Sequence, residues 1–156
     1  MNIEIILKEA QKKLDGRTHS KKLDAEILLK KTLSVSRSFL ISHKHKILTN
    51  KETKEYFSLV ERRLDKEPIA YIIGEKEFWS LQLKVSSATL VPRPETELLV
   101  EETVKIIPKQ SQKFILELGT GCGAIAIAIA KERPLSVVIA SDISMAALKI
   151  AKKNIN

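Results

Sequence analysis

The sequence predicts an α/β protein in which a bundle of helices precedes a β-hairpin and then the beginning of an open parallel sheet. Apolar residues recur at helical spacing through the first third of the chain, which is typical of packed amphipathic helices. Two later apolar runs, 114–118 and 137–141, have the length of buried strands, and each precedes a helical run. Strands that alternate with helices favour parallel pairing.

Helical signals divide the first 68 residues into several segments. The predicted helices span about 3–14, 23–33, 39–41 and 49–64. Gly16 marks the end of the first helix, and Thr49 with Glu52 forms a capping-box pattern that opens the last. The bundle is expected to end near Pro68, which makes residues 1–68 the first domain.

A different composition follows in residues 69–93. Residues 70–73 and 78–85 are rich in β-branched and aromatic side chains. This pattern predicts a β-hairpin linker whose turn lies at residues 74–76.

Two prolines lead from this linker into the sheet domain, expected at residues 94–156. Pro92 and Pro94 flank Arg93, which makes the connection extended and stiff, and Pro94 can open the next helix in its first turn. Arg93 and Glu97 carry opposite charges four residues apart, so a purely structural pairing between them is one interpretation of this segment.

The turn after the first apolar strand contains Gly119, Gly121 and Gly123. Because glycine has no Cβ, the turn can adopt positive φ and a ligand can approach its backbone closely. The helix that begins near Ala124 directs unpaired N–H groups and its positive dipole end to the same place, which suits a carboxylate or phosphate. Asp142 ends the next strand, where a carboxylate can accept both hydroxyls of a ribose. Together these features predict a site for a nucleotide-like cofactor.

Two cofactor classes fit this turn. The spacing of Gly119, Gly121 and Ala124 is compatible with a dinucleotide such as NAD. Glu117 argues against a dinucleotide, because a carboxylate there would repel a pyrophosphate and attract a cation. S-adenosyl-L-methionine carries a sulfonium, an ammonium and a carboxylate but no phosphate. Glu117 would face the ammonium, the glycine-turn amides would lie near the methionine carboxylate, and Asp142 would bind the ribose. A solvated strand end at Glu117 and a helix N-cap at Asp142 are the structural alternatives.

Several stretches of the chain resemble a known family. Residues 117–123, Glu-Leu-Gly-Thr-Gly-Cys-Gly, are similar to the first motif of class I S-adenosylmethionine-dependent methyltransferases, which have a Rossmann-like sheet. Residues 90–101, with Pro-Arg-Pro-Glu-Thr-Glu at their centre, resemble the HemK/PrmC family more specifically. Further similar stretches lie at 23–29, 62–63, 67–74 and 77–81, so the resemblance extends from the first quarter of the chain to its end.

This resemblance implies a function in translation termination. Members of the family methylate the side-chain amide of the glutamine in the Gly-Gly-Gln motif of class 1 peptide-chain release factors, with S-adenosyl-L-methionine as cofactor. The resemblance also implies that the helical domain recognises the release factor. It implies a cofactor site of Glu117, Gly119, Thr120, Gly121, Cys122, Gly123 and Asp142. Beside that site it implies a substrate-lining role for Leu90, Pro92, Arg93, Glu95 and Thr96.

The family's catalytic signature, Asn-Pro-Pro-Tyr after the fourth strand of the sheet, does not occur in these 156 residues. The chain therefore resembles the amino-terminal half of such an enzyme, as a fragment or a truncated gene product. We assign no catalytic residue in it and expect no methyl transfer by it alone. Two other classes stay open: a nucleic-acid amino-methyltransferase, which uses a related tetrapeptide, and a non-catalytic cofactor-binding module.

Composition sets further limits on partners and location. The net charge of +8 permits nucleic acid or an acidic protein as a partner, with residues 44–46, Lys51 and Lys54 as the strongest candidates. Lysines recur beside glutamates, however, in the pattern of a solvated helix face, so nucleic acid is not favoured. No apolar run reaches about 18 residues and no signal-peptide pattern opens the chain. With a single cysteine, no internal disulfide can form, and a cytoplasmic protein without a membrane partner is expected.

Four other side chains belong to residue types that can carry chemistry of their own: His43, His45, Cys122 and Trp79. His43 and His45 would need a third metal ligand that the sequence does not offer, so they are expected on the surface and no metal site is predicted. Cys122 has no evident histidine partner, and the turn requires only a small residue there. Trp79 is expected to pack within the hairpin.

Overall fold

The structure, a computed structural model, describes residues 1–155 as two compact units, Met1–Ile73 and the part that begins at Gly74. Asn156, the last residue of the expected sheet domain, lies outside the described residues. The division falls after residue 73 rather than 68, because a short helix that follows Pro68 buries Ala70 and Ile72.

The first unit consists of helices, as the sequence predicts. They are α1 (Ile3–Lys13), α2 (Lys21–Leu33), α3 (Arg37–Ser42), α4 (Asn50–Leu64) and α5 (Ile69–Ile73). Local capping explains where several of them begin: the side chain of Asn2 accepts the N–H of Ile5 at the start of α1. The predicted capping box at α4 is confirmed, with Thr49 and Glu52 each accepting the other's main-chain N–H.

The core of this unit lies where α1, α2 and α4 meet. Its largest buried side chain is Tyr56 of α4, whose hydroxyl donates to the carbonyl of Ala25 at 3.1 Å. Because a buried hydroxyl without a partner is costly, this bond accounts for a polar group in an otherwise apolar core. Ile6 of α1 and Leu28 of α2 are also fully buried in this core.

The position of the predicted hairpin was wrong. Residues 70–73 belong to α5 rather than to a strand, and the strands are β1 (Glu75–Phe78) and β2 (Leu81–Lys84), with Phe78 opposite Leu81. The turn is therefore Trp79-Ser80, where both residues have positive φ, 51° and 55°. Two positive φ values suit the twist of a two-residue hairpin loop, but Trp and Ser are not the residues that usually signal it.

The rest of the second unit follows the predicted strand and helix order. A 3-10 turn at Pro94–Thr96 leads into α6 (Glu97–Ile106), and then come β3 (Phe114–Leu118), α7 (Ala124–Glu132), β4 (Val137–Ser141) and α8 (Met145–Ile155). β3 and β4 pair in parallel, with Ile115 opposite Val138. This pairing places the carboxyl ends of both strands at one edge of the sheet.

One face of this sheet is apolar and exposed. Side chains alternate across a strand, so every second residue of β3 and β4 points to the same face. On that face the exposed fractions reach 84% for Phe114, 64% for Leu116 and 76% for Leu118. Val137 and Ile139 extend the patch on β4 with about half of each side chain exposed.

Charge is divided unequally between the two units. Residues 1–73 contain sixteen Lys and Arg against ten Asp and Glu, a net charge of +6 out of the total of +8. The positive excess therefore lies mostly in the helical unit, which the alternation of lysines with glutamates along the sequence does not reveal.

Candidate functional site

The parallel pairing brings the glycine turn and the acid after β4 together. Leu118, the last residue of β3, lies opposite Ser141, the last residue of β4. The N–H of Thr120 donates to the carbonyl of Ser141 at 2.9 Å, so the turn continues the sheet for one more bond. Gly121 and Asp142, which are 21 residues apart in the sequence, thus lie together in one site at the edge of the sheet.

The three glycines of the turn have positive φ, as predicted, but they face different surroundings. A Cβ at Gly119 or Gly121 would meet no atom within 4 Å. A Cβ at Gly123 would lie 3.0 Å from Cδ1 of Ile127 and 3.3 Å from Cβ of Ala151. The first two glycines therefore leave open space above the turn, whereas the third lets α7 and α8 pack closely.

Glu117 is held by the protein rather than solvated as a loose strand end. One carboxylate oxygen, Oε2, accepts from the hydroxyl of Thr120 at 2.6 Å and from the N–H of Ala126 at 3.1 Å. The second bond comes from the first turn of α7, where unpaired N–H groups favour a negative charge. The carboxylate is therefore oriented in advance and keeps its second oxygen for another donor.

Asp142 is fixed by two main-chain donors. Oδ1 accepts the N–H of Ser144 and Oδ2 accepts the N–H of Gly121, each at 2.8 Å. These two hydrogen bonds lower the pKa of the Asp142 carboxyl from its ordinary value of 3.8, and the bond from Ser144 has the larger effect. The helix N-cap alternative for Asp142 is therefore present in part, because Asp142 accepts the N–H of Ser144 just before α8. The side chain of Ser144 itself accepts the N–H of Ala147 at the start of α8.

Two amides of the turn serve the fold. The N–H of Gly121 is used by Asp142, and that of Gly123 donates to the carbonyl of Thr120 at 2.9 Å. Gly121 therefore contributes to the site through its missing side chain and by orienting Asp142. A ligand at this turn meets a rigid backbone.

The Pro-Arg-Pro segment faces the turn across a cleft of about 120 Å³. The cleft is lined by Leu90, Val91, Pro92, Arg93 and Thr96 on one side and by Glu117, Gly119, Thr120, Gly121, Cys122, Ala124 and Ile125 on the other. Whole ligand pockets usually measure about 300 Å³ or more, so this cleft accommodates part of a ligand. Glu95, Gly123 and Asp142 are not among its lining residues.

The side chains around this segment do not pair as the structural alternative supposes. Arg93 is exposed, and among residues 1–155 it forms no salt bridge. Glu97 instead accepts the main-chain N–H of Trp79 at 2.8 Å, and the indole of Trp79 donates to Glu132 at 3.0 Å. Glu97 thus fixes the hairpin turn through a hydrogen bond. The guanidinium of Arg93 has no oppositely charged partner among residues 1–155.

The remaining candidates lie apart from the site or serve the fold. His43 and His45 are exposed, and His43 stacks on Phe39 with 4.0 Å between ring centroids. Among the described residues, no cluster of three or more His, Cys, Asp or Glu has the arrangement of a metal site. Burial raises the pKa of the Cys122 thiol, which makes it a poor nucleophile near neutral pH.

Two residues that the sequence analysis passed over lie next to the site. Ile143, directly after Asp142, is fully exposed at 102% of its reference area. Asn154 of α8 donates from its side chain to the carbonyl of Cys122 at 2.9 Å. The sequence offers a signal for Ile143, which is its place directly after Asp142. Only tertiary contacts identify Asn154.

Two family models together place the chain in the class of methyltransferases. Residues 94–156 match the family model described as the methyltransferase small domain. Residues 6–74 match the family model described as the PrmC N-terminal domain.

Comparison with curated relatives narrows this class. The chain is 47% identical over 154 residues to the release factor glutamine methyltransferase of Coxiella burnetii, covering 99% of the chain and 56% of that protein. The corresponding protein of Aliivibrio fischeri is 46% identical over 156 residues, with coverages of 99% and 54%. That of Escherichia coli K12 is 45% identical over 148 residues, with coverages of 95% and 53%.

The chain therefore belongs to the HemK/PrmC family of release factor glutamine methyltransferases. It spans about half the length of the curated relatives it matches. Within residues 1–155, no helix has the length and apolar character needed to cross a membrane.

Proposed function

We propose that this chain binds S-adenosyl-L-methionine and recognises a class 1 peptide-chain release factor for methylation of the glutamine amide in its Gly-Gly-Gln motif. The observation that carries the proposal is the pair of fixed carboxylates, Glu117 and Asp142, on either side of an open glycine turn. Both acids are oriented by protein donors before any ligand binds, and among residues 1–155 no basic side chain lines the turn's own side of the cleft.

Each part of the cofactor has a chemical counterpart in the site. Glu117 would hold the methionine ammonium through a charge-assisted hydrogen bond, and Asp142 would accept the ribose hydroxyls. Gly119 and Gly121 leave space for the methionine chain. Ile143 offers an exposed apolar surface for the adenine ring.

The same charge pattern disfavours NAD. A pyrophosphate at this turn would face the Glu117 carboxylate, which the hydroxyl of Thr120 and the N–H of Ala126 hold in place. A positively charged sulfonium compound has no such conflict, since both site carboxylates attract it.

The chemistry of the reaction places further demands on the protein. An amide nitrogen is a poor nucleophile because its lone pair is delocalised, so the enzyme must hold it in line with the methyl group and accept its N–H hydrogens. The sulfonium supplies an activated methyl group and a neutral leaving group. Asn-Pro-Pro-Tyr, the family signature for gripping such an amide, is absent from these 156 residues. We therefore assign cofactor binding to this polypeptide and propose that it does not transfer the methyl group by itself.

The helical unit is proposed to supply release-factor recognition. Residues 6–74 match the PrmC N-terminal domain, and this unit carries most of the positive charge. Positive charge on a docking surface speeds association with an acidic partner surface. Arg93, Glu95 and Thr96 are proposed to contact the substrate segment beside the cleft.

Calorimetry on the 156-residue chain tests the cofactor assignment. S-adenosyl-L-methionine should bind and NAD should not, and Glu117→Gln should weaken binding by about tenfold because it removes a charge-assisted bond. Glu75→Gln, on an exposed side chain of β1 outside the cleft lining, is the matched control and should leave affinity unchanged. Preference for NAD, or equal affinity of wild type and Glu117→Gln, would contradict the assignment.

Titration with an intact release factor and with a short Gly-Gly-Gln peptide tests the recognition role. The intact factor should bind more tightly, because only it can make docking contacts outside the peptide. Equal affinities for the two would argue against a recognition surface on the helical unit.

A further inference from the structure

The side chain of Asn154 makes hydrogen bonds to two separate segments. Its Oδ1 accepts the N–H of Lys84 at 2.7 Å, and its Nδ2 donates to the carbonyl of Lys84 at 3.0 Å. The second hydrogen on Nδ2 goes to the carbonyl of Cys122 at 2.9 Å. An amide group has two donor hydrogens, so both are used, and the orientation of the amide is set by its partners.

At Lys84, the side chain of Asn154 makes the main-chain hydrogen bonds that a neighbouring strand would otherwise make. Lys84 ends β2, which pairs with β1 in a two-stranded sheet. Both main-chain groups of Lys84 bond to the one side chain from α8. Because β-strand edges otherwise leave such groups to water, these bonds fix the end of the hairpin to α8.

At Cys122, the third bond restrains the glycine turn. The peptide group between Cys122 and Gly123 makes two hydrogen bonds. Its carbonyl accepts from the side chain of Asn154, and its N–H donates to the carbonyl of Thr120. Both neighbouring glycines have positive φ, a conformation that glycine leaves at little cost. Glycine backbone preference therefore does not restrain this peptide group, whereas its hydrogen bonds do.

We propose that Asn154 is a positioning residue for the cofactor site, which ties the glycine turn to the hairpin and holds the turn in its binding conformation before the cofactor arrives. This inference rests on the proposed binding of S-adenosyl-L-methionine. A preformed turn avoids the entropic cost of ordering on binding, so loss of the restraint lowers affinity. No part of the Asn154 side chain needs to touch the cofactor for this effect.

Two variants and a control separate this role from general stability. Asn154→Ala removes all three bonds. Asn154→Asp keeps the shape and the acceptor for Lys84 N–H but removes both donors and sets a carboxylate beside two carbonyl oxygens. Lys153→Ala changes the adjacent, exposed residue of the same helix and serves as control.

Amide hydrogen exchange and calorimetry with S-adenosyl-L-methionine are the two measurements. For both Asn154 variants we expect faster exchange confined to residues 119–124 and 81–85, and an affinity about tenfold weaker, with Lys153→Ala like wild type. Unchanged exchange in the turn would overturn the proposal. So would faster exchange without a loss of affinity, or an increase of the same size throughout β3 and β4, which would indicate general loosening.

The exchange measurement also keeps the two proposals distinguishable. If the wild-type chain does not bind S-adenosyl-L-methionine, the proposed function fails and the affinity part of this inference fails with it. Exchange in the turn still decides whether Asn154 restrains it.

Discussion

Asp142 Oδ2 accepts a hydrogen bond from the main-chain N–H of Gly121 across 2.8 Å, which joins the acid after β4 to the centre of the glycine turn. The second carboxylate oxygen is held in the same way by Ser144. Each oxygen of an ionised carboxylate can accept about two hydrogen bonds, so both keep acceptor capacity toward solvent. The geometry is that of a preoriented acceptor for a diol.

Replacing Asp142 should weaken cofactor binding. Asp142→Asn keeps the size but turns an NH₂ group toward a main-chain donor, and Asp142→Ala removes the acceptor altogether. We expect S-adenosyl-L-methionine affinity to fall by roughly tenfold to a hundredfold in both variants, as for loss of hydrogen bonds to a charged group. Calorimetry measures the change. A folded Asp142→Ala protein with wild-type affinity would contradict the ribose assignment.

The pH dependence of binding follows from the lowered pKa of Asp142. The N–H groups of Ser144 and Gly121 stabilise the carboxylate, so its folded-state pKa lies below the ordinary 3.8. The contribution of the Asp142 carboxylate to cofactor binding is therefore fully present above the ordinary pKa. It is lost only as the pH falls through the lower, folded-state pKa. Affinity should therefore show no Asp142-linked change between about pH 5 and 8. A binding transition near pH 6 that disappears in Asp142→Asn would refute this expectation.

Alanine should be tolerated differently at two glycines of the turn. The Cβ added by Gly121→Ala meets no atom of the described residues within 4 Å. The only cost is the strain of a positive φ in a residue with a side chain, which lowers the free energy of unfolding by about 1–2 kcal/mol. Gly123→Ala adds a contact of 3.0 Å with Ile127 and one of 3.3 Å with Ala151, so overpacking raises its cost to about 2–5 kcal/mol.

Chemical denaturation of the two variants measures this difference in the free energy of unfolding. Gly121→Ala should nevertheless lower cofactor affinity, since its Cβ occupies the open side of the turn. Equal destabilisation by the two substitutions would show that packing between α7 and α8 does not depend on Gly123.

A buried ion pair should dominate the stability of the helical unit. Asp24 of α2 is 3% exposed and accepts from Arg63 of α4 at 2.7 Å, from Thr18 at 3.0 Å and from Ser20 at 2.8 Å. Removing one partner leaves a charge without compensation in a partly buried place. We expect Asp24→Ala to lower the free energy of unfolding by about 2–4 kcal/mol.

An exposed ion pair in the same unit provides the control. Asp15 and Lys21 lie 2.6 Å apart, but the Asp15 side chain is 65% exposed. Solvent screens such a pair, so Asp15→Ala should leave the denaturation midpoint unchanged. If both variants are equally stable, burial of Asp24 does not strengthen its interactions.

The exposed apolar face of the sheet should drive self-association of the 156-residue polypeptide. Five large apolar side chains form one patch there, and such patches favour contacts that exclude water. Light scattering should show a mass that rises with protein concentration, and Leu116→Lys, at the centre of the patch, should reduce it. Leu98→Lys on α6, at an equally exposed leucine outside the patch, is the control. A monomeric wild-type chain at all concentrations would contradict the prediction.

The hairpin shows where sequence patterns mislead. Ala70 to Ile73 have the composition of a strand, yet they form a helical turn because Pro68 precedes them and burial of Ala70 and Ile72 outweighs weak β preference. The true turn is stabilised by distant residues: Glu97 accepts the main-chain N–H of Trp79, and Glu132 its indole N–H. Neither partner is near Trp79 in the sequence.

Features that depend on neighbours along the chain were determined by the sequence alone. Helical periodicity, the capping box at Thr49, positive φ at the glycines and the strand after Lys113 all arise from local backbone preferences and short-range hydrogen bonds, so the predicted helices and parallel strands are confirmed. The order of Glu117, the glycine turn and Asp142 also follows from the sequence, because parallel strands end at the same edge.

Only the tertiary structure decided which atoms of the site are already engaged. It shows that Glu117 is held by Thr120 and Ala126, that the Gly121 amide belongs to Asp142, and that Asn154 ties Cys122 to β2. These bonds join residues far apart in the chain, and their formation depends on the packing of whole helices and strands. No local pattern records such contacts, since a carboxylate or an amide has the same sequence signature whether its partner is solvent, a ligand or a distant main-chain group.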